Sequence, residues 1–101
     1  MRRAAKVDAN HGVIRRAYRD MGCTVWDTFQ LGNGAPDLVV ALFGINDLVE
    51  VKDGAKPPSE RKLTPDEVKF HEAWNSKIWI IKNIDEVIFH VADMRKRWER
   101  M

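Results

Sequence analysis

One cysteine, Cys23, serves the whole 101-residue sequence. An intrachain disulfide is excluded, which suits a reducing compartment and leaves stability to an apolar core. No His/Cys grouping has zinc spacing, so a zinc module is excluded as well. No apolar run approaches the roughly 20 residues of a membrane helix, and no signal-peptide segment opens the chain. The expectation is a soluble, cytoplasmic protein with no membrane association. Internal repeats and low-complexity tracts are absent, which excludes a repeat array. An excess of one charge is missing too: the formal net charge is +2, so the overall field says little about nucleic acid.

What is present fits one modest domain spanning 1–101, with residues 1–7 as a basic tail free to be flexible. Positive charge is clustered. Arg2, Arg3 and Lys6 open the chain, Lys56, Arg61 and Lys62 sit near its middle, and Arg95, Lys96, Arg97 and Arg100 lie near its end.

Residues 8–21 read as a helix, with Asp8 or Asn10 able to cap it and Gly22 after its end. Its apolar stripe is Val13, Ile14, Ala17, Tyr18 and Met21. Residues 23–29, "CTVWDTF", read as a strand, and "QLGNGAP" reads as a glycine-rich loop. "DLVVALF" (37–43) and "LVEVK" (48–52) form a hairpin whose turn is "GIND". Both strands are apolar on both faces apart from Glu50 and the ends, which implies a sheet covered on both sides. Thr64, Pro65 and Glu67 spell an N-cap, a first-position proline and a capping box. "IWIIK" (78–82) is a short buried strand. A last helix begins near Asp85, with Ile84, Val87, Ile88, Val91, Met94 and Trp98 as its stripe. The order αβββαβα predicts an α/β domain with a mixed sheet and flanking helices.

Glu50 and Lys52 put two charges on one face of an apolar strand, where an unpaired charge is costly. With a type II′ turn starting at Gly44, Phe43 pairs with Asn46 and Asp37 falls opposite Lys52. Asp37 and Glu50 are then diagonal neighbours, with Cβ atoms roughly 7–8 Å apart. Two carboxylates so placed repel unless a cation lies between them. All-oxygen ligands favour Mg2+ or Mn2+, with no organic cofactor. Lys52 would orient the attacking water or offset charge on a phosphorane-like transition state. The plainer alternative is an ion pair between Lys52 and Asp37. The glycine loop with Asn33 and Gly34, and the basic loop with Lys56, Arg61 and Lys62, meet at the same end and suit phosphate.

These residues carry a resemblance. "GAPDLVVALFGINDLVEVKDG" resembles the core of the PD-(D/E)xK nuclease superfamily. The longer string through "LTPDEVKFHEAW" is similar to small stand-alone phage-type VRR-NUC domains. The resemblance implies a restriction-endonuclease-like fold and a metal-dependent DNA endonuclease, selective for branched DNA such as Holliday junctions. It also implies a homodimer, encoded by phage or prophage in a bacterial host. Asp37 and Glu50 would bind metal, Val51 would add its backbone carbonyl, and Lys52 would be catalytic. A DNA-junction-binding module of the same fold, with weak or lost catalysis, is the alternative.

Two positions depart from the family pattern. The first helix usually carries an acidic residue or glutamine facing the metal. Here either His11 takes that place, or Asp8 reaches in, or the site is weakened. Glu67 stands where similar sequences often have glutamine, and the capping box accounts for it. Trp74 and Trp79 read as core. Phe89 and Trp98 read as partly exposed and suited to a dimer interface. His71 and His90 read as structural or surface residues with no role.

Overall fold

The computed structural model describes residues 7–101; Arg2, Arg3 and Lys6 of the expected tail lie outside the described residues. The elements follow the expected order: α1 (His11–Asp20), β1 (Thr24–Asp27), β2 (Leu38–Leu42), β3 (Ile45–Val51), α2 (Pro65–Ala73), β4 (Ile78–Ile81) and α3 (Ile84–Glu99). The four strands lie side by side in chain order. β1, β2 and β3 are antiparallel, and β4 joins β3 in parallel, which makes the sheet mixed.

The β2–β3 turn differs from expectation. Leu42 pairs with Ile45, so the turn consists of Phe43 and Gly44. Both have positive φ, 55° and 78°, the combination of a type I′ turn. Left-handed backbone is unusual for a bulky residue. Phe43 is held there by stacking on Trp98, with ring centroids 4.7 Å apart, and the Arg95 guanidinium sits over the same ring. Leu38 therefore pairs with Val49, and one further step places Asp37 opposite Glu50 rather than Lys52.

Strand alternation assigns the faces. Asp47 reaches His90 of α3, whereas Lys52 reaches Glu67 of α2. Asp47 lies in β3 and Lys52 directly follows the strand, an odd number of positions on, so they project to opposite faces. α1 shares the α3 face, because Tyr18 bonds His90. That face holds the core: Ile14, Tyr18, Leu38, Val40, Val49, Val51, Val87, Val91 and Met94 are buried together.

A polar chain runs through this core. The Tyr18 hydroxyl is 2.7 Å from His90 Nδ1, and His90 Nε2 is 2.7 Å from Asp47 Oδ2. Trp79 stacks on the His90 ring at 4.0 Å. Arg97 closes the chain on Asp47 and also bonds Asp93. Burial pushes the Asp47 carboxyl up, but its bonds to His90 and Arg97 outweigh this and hold it down at about 2. Burial pushes the Tyr18 phenol well above its ordinary range. His90 is thus structural, one of the two readings the sequence left open, and Arg97 of the C-terminal basic cluster is engaged in holding the core.

Several local expectations are corrected. Neither Asp8 nor Asn10 caps α1 with its side chain. Instead Asn10 Nδ2 donates to the carbonyls of Lys52 and Lys82, both at 3.1 Å, tying the start of α1 to the ends of β3 and β4. Val13, Ile84 and Ile88 are exposed rather than core, and His90, outside the expected stripe, is buried instead. Trp74 is exposed and packs on Phe70, because α2 ends there and sends no side chain into the core. Trp79 is buried, as expected, and Phe89 and Trp98 are exposed. The Thr64–Glu67 capping box forms with both bonds. Among the described residues no helix is long and apolar enough to cross a membrane.

Candidate active site

The sequence brings Asp37 to the site by ending a loop just before β2. Its N–H donates to the Val49 carbonyl and its carbonyl accepts from Thr28 N–H, which fixes the backbone. Its Oδ2 accepts the Val51 N–H at 2.8 Å. Val51, expected to matter through its carbonyl, thus meets Asp37 through its N–H. Glu50 lies across from Asp37 and is 1% exposed. Its Oε1 is buried with no hydrogen-bond partner.

Burial is the largest influence on Glu50 and pushes its carboxyl far above the usual range. Contact with the Asp37 carboxyl and its charge adds to this, and Glu67 adds more. A carboxyl in this setting holds a proton or requires a cation to ionise.

Lys52 is buried on the same face, two residues on. The alternative ion pair with Asp37 does not form: Lys52 Nζ donates to Glu67 Oε1 at 2.8 Å. That same oxygen accepts the Thr64 N–H at 2.8 Å. One α2 carboxylate oxygen therefore caps the helix and grips the lysine. Burial pulls the Lys52 ammonium down, but the Glu67 bond and charge, with Glu50 and Asp8, raise it overall. A raised ammonium suits Lys52 to balance negative charge. Burial likewise pushes Glu67 up, and Lys52 with the Thr64 N–H more than reverses this.

One turn along α2 from Glu67, His71 enters the site, a residue expected to have no role. Its Nε2 lies 3.9 Å from Glu50 Oε1. It too is buried without a partner. Burial is the main cause that holds the His71 imidazole below its ordinary pKa. The signal available was the four-residue spacing from Glu67, which puts both on one helix face. Nothing local showed that this face meets Glu50.

His11 and Asp8 separate in the structure. His11 is buried with Nε2 3.0 Å from Asp27 Oδ1 and its ring edge against Phe29. Asp27 pairs with Leu38 on the core face of the sheet, so His11 is committed there, although its Nδ1 has no partner. Asp8 lies 3.6 Å from Lys56 Nζ and contributes to the field at Lys52. Of the two, Asp8 is on the site's side.

The loops converge as the strand order requires. Gly34 is pressed on the first turn of α2, where a Cβ would overlap the Asp66 carbonyl. Its φ of +80° also requires glycine. Packing on α2 thus accounts for this glycine, while Asn33 beside it is exposed. In the basic loop Lys56 faces Asp8, Arg61 Nε is buried without a partner, and Lys62 is exposed.

Asp37, Glu50 and Glu67 outnumber Lys52 in charge here, and the unpartnered Glu50 oxygen is a hard donor suited to magnesium or manganese. Among the described residues, no group of three or more His, Cys, Asp or Glu is set to hold a metal ion. An ion held by the two carboxylates Asp37 and Glu50 would keep most of its water, as magnesium does. Comparison with family models, with curated proteins and with solved structures gives no match for this chain.

Proposed function

We propose that this chain is a divalent-metal-dependent DNA endonuclease of the PD-(D/E)xK type, akin to the stand-alone VRR-NUC domains. The observation that carries the reading is Glu50: a carboxyl 1% exposed, against Asp37, with an oxygen that has no partner and with Lys52 two residues on. A structural ion-pair network would satisfy that oxygen; a cation site leaves it free to bind. Magnesium or manganese, held by Asp37 and Glu50, would supply a Lewis acid and lower the pKa of a bound water. Lys52 remains cationic and offsets charge developing on the phosphate. Lys56, Arg61 and Lys62 neutralise flanking phosphates, with the exposed Asn33 as a further phosphate contact. Branched DNA is the proposed substrate, and paired incisions would come from a homodimer. A cleavage panel of linear, flap and four-way DNA with each metal tests the reading, and solution mass tests the dimer.

A second reading has its own observation. Glu67 occupies the Lys52 ammonium at 2.8 Å, which leaves less of it for phosphate. The chain would then bind DNA junctions through the same loops with weak or lost catalysis. Junction binding without cleavage under any divalent ion would favour it.

A further inference from the structure

His71 and Glu50 pose a problem that the carboxylate pair does not solve. Their atoms Nε2 and Oε1 face each other at 3.9 Å. Both are shut away from water, and neither has a hydrogen-bond partner. A gap of that length is too long for a hydrogen bond. Leaving two buried polar atoms unsatisfied side by side is costly. Native sites rarely keep such atoms without a reason.

The separation fits two donors of one ion. Imidazole nitrogen and carboxylate oxygen bind zinc, a first-row ion, at about 2.0–2.2 Å, so an ion of similar reach can bridge a gap of up to about 4.4 Å. The helix supports this use. The capping box fixes the start of α2, Glu67 anchors it to Lys52, and His71 follows four residues later on the same face. The ring is therefore aimed by the same contacts that place the lysine.

We propose that His71 is a nitrogen ligand of the cation site, sharing with Glu50 one divalent ion, and that this nitrogen biases the site toward manganese over magnesium. This rests on the metal-dependent reading above; because the described residues gather no three such donors around one point, Glu50 and His71 would hold the ion directly and Asp37 would reach it through a bound water. Magnesium is a hard ion that takes oxygen, whereas imidazole suits transition ions.

Pulsed electron paramagnetic resonance of manganese added to the whole protein is the test, run beside melting temperatures with manganese and with magnesium. The expected spectrum shows coupling to a nitrogen-14 nucleus, and His71→Gln removes it. The same variant weakens manganese binding at least about tenfold, the scale already seen for lesser changes around metal ligands, and leaves magnesium binding nearly unchanged. Bound manganese without nitrogen coupling in the wild-type protein overturns the inference and needs no variant to fold. Coupling that survives in His71→Gln and disappears in His11→Gln overturns it as well, because His11 then supplies the nitrogen. In both cases metal stabilisation that is lost in Asp37→Asn leaves the nuclease reading standing. If neither metal raises the melting temperature of the wild-type protein, the inference and that reading fall together.

Discussion

A single Glu67 carboxylate oxygen accepts both the Lys52 ammonium and the Thr64 N–H, each at 2.8 Å. The end of β3 and the start of α2 are thereby joined at one atom. Glutamine also completes a capping box, so Glu67→Gln keeps α2 intact and removes only the charge. The expected outcome is a folded protein with freer Lys52 and DNA cleavage raised severalfold. Glu67→Ala loses the cap and the ion pair together, and its melting point falls by the equivalent of about 1 kcal/mol or more. Unchanged cleavage in Glu67→Gln would mean that the ion pair does not limit Lys52.

Glu50 makes the metal-free protein less stable than it can be. Its folded pKa is raised above the ordinary 4.5, so its contribution is fully present below that pH and is lost as pH rises toward the folded value. At pH 8 with chelator, Glu50→Gln is expected to be more stable than wild type by on the order of 2 kcal/mol. It should gain nothing from added manganese, which raises the wild-type melting point. Below pH 4.5 the advantage disappears. Equal stability of the two proteins at pH 8 would contradict the burial argument.

Asp47 behaves in the opposite sense. Its carboxyl is lowered from 3.8 to about 2. The stability it contributes is present above pH 3.8 and is lost as pH falls toward 2. The shift corresponds to about 2 kcal/mol at pH 7. Asp47→Asn should lose at least that much at neutral pH, since His90 and Arg97 lose their common partner, and should lack the acid transition in this window. Denaturant unfolding across pH distinguishes the two.

Two glycines separate backbone strain from crowding. Gly44 and Gly34 have similar φ, +78° and +80°, but a Cβ at Gly44 meets nothing, whereas at Gly34 it overlaps the α2 backbone. Gly44→Ala is expected to cost about 1 kcal/mol. Gly34→Ala adds the displacement of α2, so its cost should exceed about 3 kcal/mol and cleavage should fall with it. Equal losses in melting temperature would show that Gly34 is not wedged against the helix.

The sequence pattern reached the site through an error that cancelled. Gly44 was expected to start the turn, but Phe43 does, because its ring finds Trp98 more than 50 residues away, a contact no local pattern contains. Moving the turn back one residue lowers the sum of paired residue numbers by two. Side-chain faces alternate with a period of two, so Asp37, Glu50 and Lys52 still share a face. The capping box and proline at α2 were legible because every atom involved lies within four residues. His71 was not legible, because its importance lies in facing Glu50 across two elements. The core role of His90 was equally hidden, since its partners Tyr18 and Asp47 come from other elements.

The central claim is that Asp37, Glu50 and Lys52 hydrolyse DNA with a divalent ion. The direct measurement is cleavage of four-way and linear DNA by wild type, Asp37→Asn and Lys52→Ala, each verified as folded, with magnesium, with manganese and with chelator. The account predicts wild-type cleavage that requires metal and is greater on the four-way substrate, and at least about a hundredfold loss in both variants. Full metal-dependent cleavage by either folded variant, or cleavage unaffected by chelator, would contradict it.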